Sequence, residues 1–203
     1  MICFLPLALF FAWIWLRFMT RYPEWTIRDV YPFFHRIEGD ILAGTFHPAP
    51  ENDFKATHSA KEFKLWQSKR IHLAIHFCRL LSANSRLLQR WAVHERRHNL
   101  PFLPKELREG LRTFQFAAMH SRTAAFAVRF RLRFRLIRMA MLPFLSVPSF
   151  STLVEHSNDM IQFYGTAETL AEALSISYGE EIHQNMVAVL GMVGLELDES
   201  EEQ

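Results

Sequence analysis

The feature that most constrains the fold is the segment between Gly110 and Pro143, which contains neither glycine nor proline. These two residues are the ones that most often interrupt a helix. From Leu107 onward, small or apolar residues recur at alternating spacings of four and three: Leu107, Leu111, Phe114, Ala118, Ser121, Ala125, Val128 and Leu132. That spacing places them on one helical face, so it predicts a helix over 104–142 that packs against another helix.

The stretch RFRLRFRLIR, which begins at Arg129, lies at the end of this segment. Arginine alternates there with large apolar residues, and a period of two is typical of a strand. We nevertheless predict a helix, because the packing stripe enters the stretch without a break and because Arg, Leu, Ala and Met favour helices. A helix here has a second apolar arc, which consists of Phe126, Phe130, Phe134, Ile137 and Met141. A helix with two apolar arcs is expected to contact two partners, one of them the rest of the domain.

A second long helix is predicted over 59–98. The sequence SAKE places Ser59 at the N-cap and Glu62 three residues later, which is the capping-box pattern. Apolar residues follow at helical spacing, although Arg70 and Asn84 interrupt their face and the SANS sequence at 82–85 could divide the helix in two. The composition, with 19 Phe and only 7 Gly in 203 residues, also favours helices over a turn-rich β-fold. We therefore predict an all-α fold built on an antiparallel helical bundle.

The other segments are predicted to be shorter or irregular. Three helices are expected, at about 151–164, 167–178 and 180–193. Gly165 and Gly179 are expected to end the first two. Residues 23–58 are expected to form a membrane-proximal connector. It begins with a short amphipathic element that Pro32 interrupts, and continues as the irregular stretch EGDILAGTFHPAPENDF, which is rich in Gly, Pro, Asn and Asp. The bundle would then cover 59–195, and the acidic residues 196–203 would form a disordered tail.

Residues 1–22 are predicted to form a membrane-anchor helix. No Asp, Glu, Lys or Arg precedes Arg17, and a helix of roughly 16 to 19 residues spans about 24–28 Å, close to the ~30 Å hydrocarbon core. Trp13 and Trp15 lie near one end of it, where aromatic rings favour the headgroup region. Arg17 and Arg21 follow the apolar run, so the positive-inside rule predicts a single-pass protein with its body in the cytoplasm. The alternatives are a buried N-terminal core helix and a cleaved signal peptide.

Charge is divided unequally along the chain. All 23 Lys and Arg residues lie at or before Arg138 with 10 acidic residues, which gives +13, while 139–203 carry 11 acidic residues and no Lys or Arg. The arginines proposed to bind anionic lipid headgroups or an acidic protein partner are Arg129, Arg131, Arg133, Arg135 and Arg138. The alternative is that these arginines pair with the acidic C-terminal helices. Nucleic acid is disfavoured as a partner, because lysine is scarce in this stretch and no nucleic-acid-binding motif occurs.

The sequence HERRH at 94–98 matches the HExxH pattern of zinc peptidases over five residues only. In that pattern His94 and His98 would bind zinc and Glu95 would act as the general base. Two arginines occupy the intervening positions, and no sequence pattern nominates a third ligand. The simpler interpretation is that all four histidines, His72, His76, His94 and His98, belong to a solvated polar face of the 59–98 helix.

No serine-nucleophile motif, phosphate-binding loop or dinucleotide-binding motif occurs in the chain. We therefore expect no cofactor and predict a non-enzymatic, membrane-tethered interaction or scaffold protein. A zinc-dependent hydrolase is the alternative from another functional class.

Overall fold

The computed structural model describes residues 25–47, 49–141 and 150–190. The predicted anchor and the predicted acidic tail lie outside these ranges. The described residues form helices and no strand, in agreement with the predicted all-α bundle. In this part of the chain, no helix combines the length and the apolar character that a membrane span requires.

The elements follow one another in a simple order. The α-helices are α1 (Ile27–Val30), α2 (Gly39–Phe46), α3 (Ala49–Thr57), α4 (Ala60–His98), α5 (Lys105–Met141), α6 (Ser151–Ser175) and α7 (Glu180–Leu190). Short 3₁₀ helices lie at Tyr31–Phe33 and Ile176–Tyr178.

The two long helices α4 and α5 form an antiparallel pair at the centre of the fold, as predicted. The Ser59 side chain accepts a hydrogen bond from the Glu62 amide, and the Glu62 carboxylate accepts one from the Ser59 amide at 3.0 Å, which confirms the capping box. The alternating stripe on α5 is buried from Leu111 to Leu132. Midway along the pair, the buried hydroxyl of Ser85 donates to that of Ser121 at 3.0 Å.

Helix α6 packs antiparallel to α5 and is longer than predicted. The Ser121 hydroxyl also contacts the carbonyl oxygen of Met160 at 3.4 Å. Gly165 does not end the helix, and the hydroxyl of the next residue, Thr166, donates to the Gln162 carbonyl one turn earlier. The predicted division of 151–178 into two helices is therefore wrong. Gly179, with φ of 100°, does separate α6 and its 3₁₀ turn from α7.

The N-terminal segment before α4 is helical rather than irregular. Ile27, Val30, Phe34 and Ile37 are all buried in the common core, at spacings of three and four. The prolines there do not prevent helix formation, since Pro32 lies in the first turn of a 3₁₀ helix, where no intrahelical N–H donor is needed. The short amphipathic element around Pro32 is therefore confirmed. The prediction of an irregular stretch after it is wrong, because Gly39–Phe46 and Ala49–Thr57 are helices, with Gly39 and Pro50 in their first turns.

The two polar residues that interrupt the apolar face of α4 hold this N-terminal segment in place. Asn84 is fully buried; its carbonyl oxygen accepts from the His35 amide at 2.9 Å, and its amide nitrogen donates to the His35 carbonyl at 2.7 Å. The same nitrogen contacts the hydroxyl of the buried Tyr164 at 2.9 Å. Arg70 donates to the carbonyl oxygen of Thr45 at the end of α2. Because the Asn84 side chain has partners, α4 continues through the SANS sequence without a break.

Candidate functional site

The outer face of α5 carries a line of exposed apolar side chains. We call the following set the outer stripe: Phe126, Phe130, Phe134, Ile137 and Met141. Each is between 54% and 73% exposed, although these are large apolar residues. The stripe extends over about 22 Å, at 1.5 Å per residue. An apolar surface of this length is the kind of patch that marks a contact with a partner or a membrane.

The helical geometry of α5 explains the exposure of the outer stripe. Phe130 lies nine residues after the buried Ser121, which is a rotation of about 900°, or two and a half turns. The stripe therefore points directly away from the seam that packs on α4 and α6. The second apolar arc that the sequence predicts is confirmed as an exposed surface.

Arginines flank the outer stripe on both sides. At 100° per residue, Arg129 and Arg133 precede it around the helix, while Arg131 and Arg138 follow it. Arg131 and Arg133 are exposed, and the other two are half-buried. The Arg129 guanidinium lies 5.6 Å from the ring centroid of Phe126, so this cation is in contact with the edge of the stripe.

Arg135 is separated from the other four arginines. It is only 8% exposed. At 100° per residue, its angular position around the helix axis differs by only about 40° from that of Ser121, which lies on the buried seam. Its guanidinium lies 5.7 Å from the ring of Phe150, at the start of α6. Burial lowers the pKa of Arg135, whereas the nearby Glu51 carboxylate raises it. Arg135 thus belongs to an interior charged cluster and not to the outer surface.

The HExxH segment places Glu95 inside the bundle. Its carboxylate is fully buried and accepts hydrogen bonds from the Trp91 indole at 2.7 Å, the Asn99 amide at 2.9 Å and the Tyr178 hydroxyl. Burial, together with this bond to Glu95, raises the pKa of Tyr178. Three donors therefore hold the carboxylate, and they connect the end of α4 to the turn before α7.

The two histidines of the segment lie on a different side of α4 from Glu95. His94 is half-buried, His98 is exposed, and their ring centroids are 4.9 Å apart. Within 25–47, 49–141 and 150–190, no group of three His, Cys, Asp or Glu side chains is placed to hold a metal ion. Zinc binding at His94 and His98 stays a prediction, which metal analysis of the purified protein and of a His94→Ala variant would test.

The other predicted histidine pair lies on the solvated face of α4. His72 and His76 are both exposed, and so are Arg79, Arg86 and Arg97 on the same side of the helix. The polar face that the sequence predicts is confirmed there. His94 departs from it, because the N-terminal segment partly covers this end of α4: the Arg90 guanidinium lies 4.6 Å from the ring of Trp25.

A cluster that sequence reasoning missed joins distant segments around Phe150. The Glu51 carboxylate accepts from the Phe150 amide at 2.7 Å and from the Gln67 side chain at 3.4 Å. The Arg70 guanidinium lies 4.2 Å from the same Phe150 ring. The only local signal for this cluster is Arg70, a charged residue on an otherwise apolar face.

Comparison with known proteins found no relative of this chain. No family model matches the chain, and neither a curated protein nor a solved structure is significantly similar to it.

Proposed function

We propose that this chain is a membrane-tethered helical interaction protein, and that the outer stripe of α5 rests on an anionic bilayer surface. The observation that carries the proposal is the combination of five exposed apolar side chains with arginines on both flanks. Helices that lie in a membrane interface have this arrangement, with apolar residues at the acyl boundary and cations at the headgroups. In this proposal the apolar run at 1–22 anchors the chain and the body lies on the cytoplasmic side.

Two contributions to the free energy of binding favour such a contact between α5 and an anionic bilayer. Each cation near an anionic leaflet contributes about 1 kcal/mol, so the four flanking arginines contribute on the order of 4 kcal/mol. Covering the exposed half of each outer-stripe side chain contributes about 1 kcal/mol per residue, by the usual relation between buried apolar area and free energy. An N-terminal anchor would also hold α5 close to the bilayer, which raises the effective concentration of lipid at the outer stripe.

The charges favour a bilayer over a second copy of this chain as the occupant of the stripe. Two outer stripes packed face to face would bring Arg131 and Arg133 of each copy close to the arginines of the other. Like charges in contact are destabilising. An anionic lipid surface instead neutralises the arginines on both flanks at once.

The test uses an environment-sensitive fluorophore attached to the full chain at Phe130→Cys, in a Cys3→Ser background. Vesicles that contain phosphatidylserine should shift the emission to shorter wavelength, whereas neutral phosphatidylcholine vesicles should shift it much less. Reversing two flanking charges, in R131E/R133E, should abolish most of the anionic preference. The matched control R79E/R86E makes the same charge change on the exposed face of α4 and should retain it.

Two outcomes would contradict the lipid contact. One is an equal shift with neutral and anionic vesicles. The other is no shift with either type of vesicle, together with a shift when an acidic protein is added, because the basic face would then serve a protein partner.

A further inference from the structure

A groove between α2 and α4 lies apart from the outer stripe. It has a volume of about 420 Å³, and no residue of α5 lines it. Ile41 and Leu73 form its apolar walls and are 47% and 40% exposed. Trp66 adds an aromatic surface. Pockets of this size with apolar walls and a few polar groups are typical of small-ligand sites.

Arg70 supplies the charge at the inner wall of the groove. It is only 7% exposed, and two of its three nitrogens donate to carbonyl oxygens: Nε to Thr45 at 2.8 Å and Nη2 to His47. The third nitrogen, Nη1, is buried and has no hydrogen-bond partner among the described residues. A buried cationic donor without an acceptor is costly, and a water, an ion or a ligand can supply the missing acceptor.

The surroundings of Arg70 keep it charged and in place. Its guanidinium stacks at 4.2 Å from Phe150 and at 5.2 Å from Trp66. Burial lowers its pKa and the Glu51 carboxylate raises it, but an arginine stays protonated at neutral pH in either case. Lys69, which also lines the groove, is exposed at the rim. The groove therefore has two cations at one side, of which Arg70 is partly balanced by Glu51, and apolar walls at the other.

We propose that this groove binds an amphiphilic carboxylate, such as a medium-chain fatty acid. The carboxylate accepts from the Lys69 ammonium and from Arg70 Nη1, which turns toward the groove from its buried position when the ligand binds, and the acyl chain lies along Ile41, Trp66 and Leu73. Charge complementarity selects an anion, and the apolar walls select a ligand with a hydrocarbon body. This site goes beyond the proposed membrane contact, because it uses none of the residues of the outer stripe.

Gly44 offers a way to block the groove without touching Arg70. A Cβ atom at Gly44 would meet nothing within 4 Å, so Gly44→Leu places a side chain in the open groove that this residue lines. Gly165→Leu is the matched control, because a Cβ atom there also meets nothing and the site lies on α6. Both changes replace a helical glycine by a good helix former, so both variants should fold.

The experiment is isothermal titration of the full chain with octanoate, octanol and inorganic phosphate. We expect octanoate to bind, Gly44→Leu and Lys69→Met to weaken it about tenfold or more, and Gly165→Leu to leave it unchanged. Absence of octanoate binding would overturn the proposal, and so would equal binding by octanol, equal binding by phosphate, or undiminished binding to Gly44→Leu. Because Gly44→Leu leaves α5 intact, the fluorescence shift at position 130 tests the membrane contact independently.

Discussion

Replacing Glu95 by alanine should destabilise the fold, because it removes the acceptor of three hydrogen bonds. The Trp91 indole is fully buried and would lose the Glu95 carboxylate as its acceptor, which costs about 1–3 kcal/mol. Asn99 and Tyr178 are half-buried and already contact each other at 3.0 Å, so water and this contact would reduce their loss to about 0.5–1 kcal/mol each. The sum predicts a decrease of about 2–5 kcal/mol in the free energy of unfolding.

Glu95→Gln should cost much less, about 1 kcal/mol. The glutamine carbonyl can still accept from Trp91 and Tyr178, and only the contact with Asn99 is lost. Urea unfolding followed by circular dichroism measures both changes, with the exposed Glu109→Ala as the control. The reasoning is refuted if Glu95→Ala unfolds at the same urea concentration as Glu109→Ala, or if the glutamine variant is as unstable as the alanine variant.

Three further predictions concern other parts of the bundle. Asn84→Ala should lower the free energy of unfolding by about 2–4 kcal/mol, since it leaves the buried Tyr164 hydroxyl and a backbone amide without partners. Burial raises the pKa of Cys78 to about 12, so in a Cys3→Ser background a thiol reagent should modify it only after unfolding. Hydrogen bonds from Ser59 lower the pKa of Glu62. The contribution of Glu62 to stability is therefore present above its unfolded pKa near 4.5 and is lost as pH falls through the lower folded value, and Glu62→Gln should remove this acid dependence.

Each of the three has a result that would contradict it. Unfolding of the Asn84 variant at the wild-type urea concentration would exclude a structural role for that side chain. Rapid modification of Cys78 in the native protein would show that the thiol is accessible. An unchanged acid limb of the stability profile in Glu62→Gln would mean that other carboxylates determine it.

The two long helices could be predicted nearly to their ends, because their signals are local and periodic. The capping box at Ser59 and the break between α4 and α5 lie where the sequence places them, and the alternating stripe on α5 is buried as expected. The boundary at Gly165 was wrong because one glycine costs a helix only about 1 kcal/mol. Packing of Tyr164 and Ala167 on either side outweighs that cost, since both are fully buried.

The contacts between distant segments could not be predicted from the sequence. Arg70 and Asn84 were recognised as interruptions of an apolar face, but their partners lie in the N-terminal segment and in α6. The inward position of Arg135 follows from its helical angle relative to Ser121, but the regular alternation groups it with the exposed arginines. Its neighbour Glu51 lies more than 80 residues earlier, so that contact could not be predicted from the sequence.

The measurement that tests the central claim most directly is the depth of a spin label in anionic vesicles. The label is attached to the full chain at Phe130→Cys on the outer stripe, or at Arg86→Cys on the exposed face of α4, each in a Cys3→Ser background. We predict that the label at 130 is accessible to oxygen and protected from a water-soluble nickel complex, as in the acyl region, while the label at 86 stays accessible to nickel. Equal nickel accessibility at the two positions would contradict the account.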